Sequence, residues 1–313
     1  MQVRIGRRLT LFVLGGMATL LLASGLASCK KVVPTPTPIT PLQKLINSDT
    51  SLSLYHRLLL QANETGLLAD KSVTLLIPGN AALRALGYSQ TYIDSISATL
   101  ADHLVRYHFI PSRVSIPVAD SGAYTPYMTL AGTPVYGMSD GVQIWFNGTK
   151  ASPDTSSVGL AIVYRLDAPL APGYDSLLHF TGDDSSLTFL TEAIRRTGLD
   201  SLIRSGAHTL LAPVNSAFRN AGYDSLPAID SADSTSLSNL IKFHVVKGTF
   251  FTNSLASQSS LPTLQGSPVS VSLKNGLLQF SGSGNPVPAD LLNGNQTVGA
   301  SLVVHRIDRL LSP

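Results

Sequence analysis

Thr74-Leu75-Leu76-Ile77-Pro78-Gly79-Asn80-Ala81-Ala82-Leu83 returns 135 residues later as Thr209-Leu210-Leu211-Ala212-Pro213-Val214-Asn215-Ser216-Ala217-Phe218. The register holds without a gap from Leu52 and Leu187 through Gly87-Tyr88 and Gly222-Tyr223. It resumes after small insertions. Tyr107-His108 matches Phe243-His244, Leu130 to Val135 matches Leu264 to Val269, and Leu166-Asp167 to Pro172 matches Ile307-Asp308 to Pro313. Self-similarity at one long period means two copies of one domain.

Outward from this block, each copy predicts the same order of elements. Tyr55, Leu58, Leu59 and Ala62, and then Leu190, Ala193, Ile194 and Thr197, fall at i, i+3, i+4, i+7 and give one helix an apolar face. Asp49 and Asp184 stand where helix N-caps are expected, and Gly66 and Gly198 stand near the helix ends. The apolar runs Val73 to Ile77 and Thr209 to Ala212 read as buried strands stopped by Pro78 and Pro213. Asn80 and Asn215 are expected to cap the helical turn that follows each of them. A second helical stretch runs through Ile93, Ile96, Leu100 and Leu104, with Leu237, Leu240 and Ile241 as its partner. Asp140-Gly141 and Asn275-Gly276 then mark hairpin turns into apolar strands. Helices first and strands second make each copy an α+β unit.

The N-terminal 28 residues read as a secretory signal: Arg4, Arg7 and Arg8 precede an apolar run from Leu9 to Leu26. A single-pass anchor is the competing reading, weakened by Gly15, Gly16, Thr19, Ser24 and Gly25 within the run. Leu26-Ala27-Ser28-Cys29 resembles the lipobox of bacterial lipoproteins, which implies that Cys29 is acylated on sulfur and becomes the mature N-terminus. Cys29 is the only cysteine, so no intramolecular disulfide can form. Several acyl chains at one site would hold the chain firmly on a membrane. Residues 29–41 are proline-rich and predict an extended tether. The expected domains are then 42–172 and 173–313. Losing Arg4, Arg7 and Arg8 with the signal takes the net charge from +3 to 0, so no basic footprint for nucleic acid remains.

The repeated blocks resemble the fasciclin-type adhesion domain, whose first block has the form Thr-x-Phe-Ala-Pro-x-Asn-x-Ala-Phe. Thr209 to Phe218 meets it, and Thr74 to Leu83 is a looser version. An aromatic-histidine pair closing a helix is met by Tyr107-His108 and Phe243-His244, and the closing His-x-Ile-Asp-x-x-Leu-x-Pro by His305 to Pro313. The resemblance implies an α+β fold of two tandem domains, each a wedge-shaped β-sandwich with helices packed on one side. It also implies an adhesive or matrix-binding role outside the cytoplasm. The first copy departs from the pattern: Tyr164 stands at the position of His305, and Pro169 interrupts the expected last strand.

For ligand contact, the resemblance points to Tyr107, His108, Phe243 and His244, and to the acidic-aliphatic segment Ala289-Asp290-Leu291-Leu292 before the last strand. A role for the two histidines in holding a helix-to-strand corner is the plainer expectation. Tyr124, Tyr127, Tyr136 and Trp145 gather in the strand half of the first copy. Trp145, matched by Phe280, reads as core, whereas Tyr124 and Tyr127 lie in a loop-like segment and are the better candidates for stacking on a sugar or an apolar partner. Gly137-Met138-Ser139-Asp140-Gly141 fits the hydrolase pattern G-x-S-x-G, but a strand follows where a helix is required. No zinc-ligand spacing and no cofactor motif is present. The expectation is a non-enzymatic, lipid-anchored envelope protein on the outer membrane that binds a protein or polysaccharide. The alternative is a periplasm-facing accessory in envelope polysaccharide or protein assembly.

Overall fold

The strand His208–Pro213 is the centre of the second copy and Thr74–Pro78 the centre of the first, and every residue of the two is buried except the half-buried His208. The computed structural model describes residues 38–313 except 70, 117–121 and 153–155. Cys29 and most of the proline-rich segment lie outside the described residues. Pro41, the last residue of the expected tether, instead opens the helix Pro41–Ser48, with Thr40 as its cap in a reciprocal capping box with Gln43.

In the second copy the strand order is Val245–Lys247, His208–Pro213, Leu302–Ile307, Ala289–Val298, Leu277–Ser281, Pro268–Lys274 and Ser260–Pro262. His208–Pro213 and Leu302–Ile307 run parallel; the other neighbours are antiparallel. The first copy repeats that path with Phe109–Ile110, Thr74–Pro78, Ala161–Leu166, Thr149–Ala151, Ile144–Phe146, Pro134–Ser139 and Thr125–Met128. Where the second copy has one long bulged strand, the first has two short ones, Thr149–Ala151 and Ser156–Val158, both on Ala161–Leu166.

Period-two alternation divides each central strand between two cores. Leu210 and Ala212 face the helices with Leu190 and Ile241, while Leu211 faces Val269, Leu278 and Phe280 from the other half of the strand path. Leu75 and Ile77 against Leu58 and Leu104, and Leu76 against Val135 and Phe146, repeat this in the first copy. Each copy is therefore an α+β sandwich covered by helices on one side.

The helices with the i, i+3, i+4 apolar face are Ser53–Gln61 and Thr188–Thr197, with Gly198 closing the second in the left-handed region. Asp49 and Asp184 cap a 3-10 turn just ahead of each helix and accept from Ser51 N and Ser186 N. The stretch expected as one helix over Ile93 to Leu104 is two, Gln90–Ser95 and Ala98–Tyr107, because Ser97 caps a new start. Asp233 makes the same break between Leu226–Ser231 and Ser234–Phe243.

Two further expectations are corrected. Asn80 and Asn215 do not cap their own helices. Asn80 accepts from Leu54 N (2.9 Å) and donates to Thr50 O (2.9 Å). Asn215 accepts from Phe189 N (3.0 Å) and donates to Ser185 O (2.8 Å). Asn80 thus caps Ser53–Gln61 and Asn215 caps Thr188–Thr197, each across the fold. Pro169 does not interrupt the last strand, since Ala161–Leu166 is complete before it and as long as Leu302–Ile307.

Candidate functional site

The aromatic-histidine pairs close the helices Ala98–Tyr107 and Ser234–Phe243, and all four side chains are buried. His108 Nδ1 lies 2.8 Å from Leu104 O, and its Nε2 accepts from Leu170 N at 3.0 Å. His244 repeats this with Leu240 O (2.8 Å) and Leu311 N (2.9 Å). A carbonyl can only accept and an amide can only donate, so each ring is neutral with its proton on Nδ1. Burial pushes both histidines down to about 4. Their function is to tie the helix end to the segment after the last strand, and burial denies all four side chains direct contact with an external ligand.

His305 is neutral for the same reason. Its Nδ1 accepts from Asn295 N (3.2 Å), its Nε2 donates to Phe250 O (2.8 Å), and burial pushes it down to about 4. Tyr164 does the corresponding work in the first copy: its hydroxyl accepts from Ile116 N (3.0 Å) and contacts Val114 O (3.3 Å). The two segments correspond because Thr74 Oγ1 accepts from Val114 N as Thr209 Oγ1 accepts from Phe250 N. The departure from the family pattern at Tyr164 therefore replaces one tie by another.

A buried seam joins the copies, which pack within one compact unit. Tyr107 Oη donates to Pro134 O (3.0 Å), accepts from Asn147 Nδ2 (2.8 Å) and lies 3.1 Å from Thr297 Oγ1 of the second copy. Asn147 Oδ1 accepts in turn from Tyr136 N (2.8 Å), and the Tyr136 hydroxyl donates to Ala300 O. Gln296 Nε2 donates to Pro172 O (3.0 Å). Tyr136, Phe251 and Val303 form a small core with Tyr124 against it, drawn from both copies. Sequence reasoning missed this seam, although the hydroxyl that distinguishes Tyr107 from Phe243 was a signal for it.

Beside the seam opens a cleft of about 560 Å³ with walls from both copies. Tyr124, Trp145 and Asp140 line it from the first copy, and Phe250, Asn253 and Gln258 from the second. Trp145 corrects an expectation: along Ile144–Phe146 the outer two residues are buried and Trp145 is half-exposed, so Phe146 is the core residue. The indole Nε1 donates to Asp140 Oδ2 at 3.1 Å. Asp140 Oδ1 accepts from Gln143 N (2.7 Å) and Val142 N (3.0 Å), and these bonds, with Gln143 foremost, hold the carboxyl below the usual range. Tyr124 donates to Asn253 Oδ1, packs at a tilt against Phe251 with ring centres 4.5 Å apart, and is pushed well above the usual phenol range by burial.

The remaining candidates lie elsewhere. Tyr127 is within the strand Thr125–Met128, not in a loop, and packs half-buried against the first copy's sandwich core. Asp290 sits in Ala289–Val298, accepts from Gln279 Nε2 (2.6 Å) and donates its amide to Asp308 Oδ1 (2.7 Å), so it belongs to the strand ladder. Ser139 is buried in Pro134–Ser139, without the strand-to-helix turn that a nucleophile elbow requires. A second hollow of about 670 Å³ adjoins the linker between the copies, Pro172 to Tyr174, and includes His179, which bonds Asp175 (2.7 Å) and whose pKa that bond raises. Among the described residues no group of three or more metal-ligating side chains is placed to hold an ion. No helix among them is long and apolar enough to cross a membrane.

Comparison with known proteins agrees with the duplication. The chain is 23% identical over 246 residues to the transforming growth factor-beta-induced protein ig-h3 of Sus scrofa, covering 77% of this chain and 35% of that protein. It is 26% identical over 235 residues to periostin of Homo sapiens, covering 74% of this chain and 27% of that protein. The chain thus spans about a third or less of the curated relatives it matches. Among solved structures it resembles a FAS1 domain pair from the insect cell adhesion molecule fasciclin I, with a TM-score of 0.41 and 14% identity over 83% of this chain and 96% of that one. The fasciclin domain model matches twice, over residues 50–172 and 185–313, and the chain belongs to the fasciclin-domain family as a tandem pair.

Proposed function

We propose that this chain is a non-enzymatic adhesion or binding module of a bacterial cell envelope, with 1–28 as signal, Cys29 as the lipidated residue, a short tether, and the pair 42–172 and 173–313 as the working part. The observation that carries the reading is the seam: Tyr107, Asn147 and Thr297 lock the two copies so that their surfaces meet a ligand together. A fixed pair spends less entropy on binding than two copies that must be ordered at the moment of contact. Family membership supports a binding rather than a catalytic role. The lipobox-like run before Cys29 supports anchoring, and Lys30 after it favours the outer membrane.

Two readouts test this. Labelling of cells with palmitate should mark the wild-type chain and not Cys29→Ala. Attachment of cells to an uncoated and a matrix-coated surface should fall when the gene is deleted and return when it is restored. Equal attachment with and without the chain would overturn the adhesive role.

A further inference from the structure

We infer that the cleft between the two copies is a binding site for a neutral saccharide segment, with Trp145 as its stacking surface and Asp140, Asn253 and Gln258 as its hydroxyl partners. The inference rests on the binding role proposed above and names its ligand class.

The walls combine two chemistries. Trp145, Tyr124 and Phe250 supply aromatic surface, and the C–H face of a sugar ring, with its slight positive charge, suits the electron-rich face of an indole. Asp140, Asn253 and Gln258 supply acceptors and donors in the same space, as a ring of hydroxyls requires. Asp140 is already held by two backbone amides and the indole, so it stays in place as an acceptor without ordering on contact. Asn253 keeps its oxygen on Tyr124, while its Nδ2 has, among the described residues, a long contact to Met138 sulfur at 3.8 Å. Among the described residues the Gln258 side chain hydrogen-bonds Ser257 Oγ, at a long 3.4 Å. Both amides can therefore turn a donor to the ligand at small cost.

Charge selects among ligands. Among the described residues no lysine or arginine lines the cleft, which disfavours phosphate, sulfate and acidic polymers. The volume of about 560 Å³ is within the range of ordinary ligand sites and suits a short stretch of chain entering an open groove.

The sole tryptophan of the protein lines this site, so its emission reports on occupancy without a label. Full-length protein in detergent would be titrated with unsubstituted gluco-, manno-, xylo- and galacto-oligosaccharides. At least one should give a saturable change in emission. Gln258→Ala, which removes only a long, exposed bond to its neighbour Ser257 among the described contacts, should weaken that titration about tenfold, the loss of one hydrogen bond. Asp140→Asn should weaken it as well. The inference fails if none of these sugars moves the emission or if both variants titrate like the wild type. Cells carrying Trp145→Ala, whose sugar binding is read by calorimetry because the variant lacks the reporter indole, separate the two readings. Attachment retained with sugar binding lost leaves the adhesive role and removes the cleft from it, whereas attachment independent of the whole chain overturns the role itself.

Discussion

The hydroxyl of Tyr107 lies 3.1 Å from the hydroxyl of Thr297, 190 residues along the chain, and this contact joins one copy of the domain to the other. Phe243, the counterpart of Tyr107, packs in the same way without a hydroxyl. The first aromatic therefore does a second task. It holds Asn147 in position and meets the second copy, while the histidine next to it holds its own domain together.

Tyr107→Phe keeps the ring and removes that task. Asn147 Nδ2 loses its acceptor in a buried position, which costs about 1–3 kcal/mol. The midpoint of urea unfolding should fall accordingly, and Thr297→Ala, which leaves Asn147 bonded, should cost less. Equal midpoints for wild type and Tyr107→Phe would remove the seam from the energetics.

His108, His244 and His305 give the fold a pH dependence. Each is near 4 in the folded state against 6.5 when free, so the unfolded chain binds more protons between those values. Their contribution is complete above the free value and is lost as pH falls from about 6.5 toward 4. Three such groups give a slope of at most about 4 kcal/mol per pH unit. His179 has the opposite sign but is exposed, so it adds little. Melting temperatures measured from neutral pH to just above 4 should fall steadily; a flat profile would contradict neutral, buried rings.

Asn80 and Asn215 each cap a helix that lies earlier in the chain, and replacing either by alanine should cost about 1 kcal/mol, as for an ordinary cap. Asn80→Asp keeps the acceptor for Leu54 N and loses the donor to Thr50 O, so it should fall between alanine and wild type. Thermal melts of the four proteins check the order.

Gly148 has a φ of 73°, and a Cβ there would stand 2.8 Å from Asn295 Nδ2 and 3.0 Å from Phe251 Cβ. Gly148→Ala should cost about 1–3 kcal/mol by overpacking and open the seam, with faster proteolytic cleavage of the linker near Gly173. Gly141→Ala is the control, since it shares a positive φ but has open space around its Cβ. Equal cleavage of both would place the close approach outside the seam's function.

Much of this fold is legible in the sequence because the same instructions are written twice. The i, i+3, i+4 spacing of Tyr55, Leu58 and Leu59, the strand-ending Pro78 and Pro213, and the corner histidines each have a local or repeated signal. The exceptions are local choices decided by distant geometry. An asparagine ahead of a helix can cap that helix or reach another, and only the packing of Leu54 and Phe189 beside Asn80 and Asn215 decides. Trp145 and Phe146 are neighbours on a three-residue strand, where a shift of one residue exchanges the buried and open faces. The cleft draws Trp145 from one copy and Gln258 from the other, so no single stretch of sequence carries its pattern.

Protease shaving of intact cells bears most directly on the adhesive role, with a periplasmic protein as control and detection of the C-terminal domain. Loss of that domain while the control survives is expected of a module displayed to other surfaces. Protection until the outer membrane is opened would contradict display and place the chain facing the periplasm.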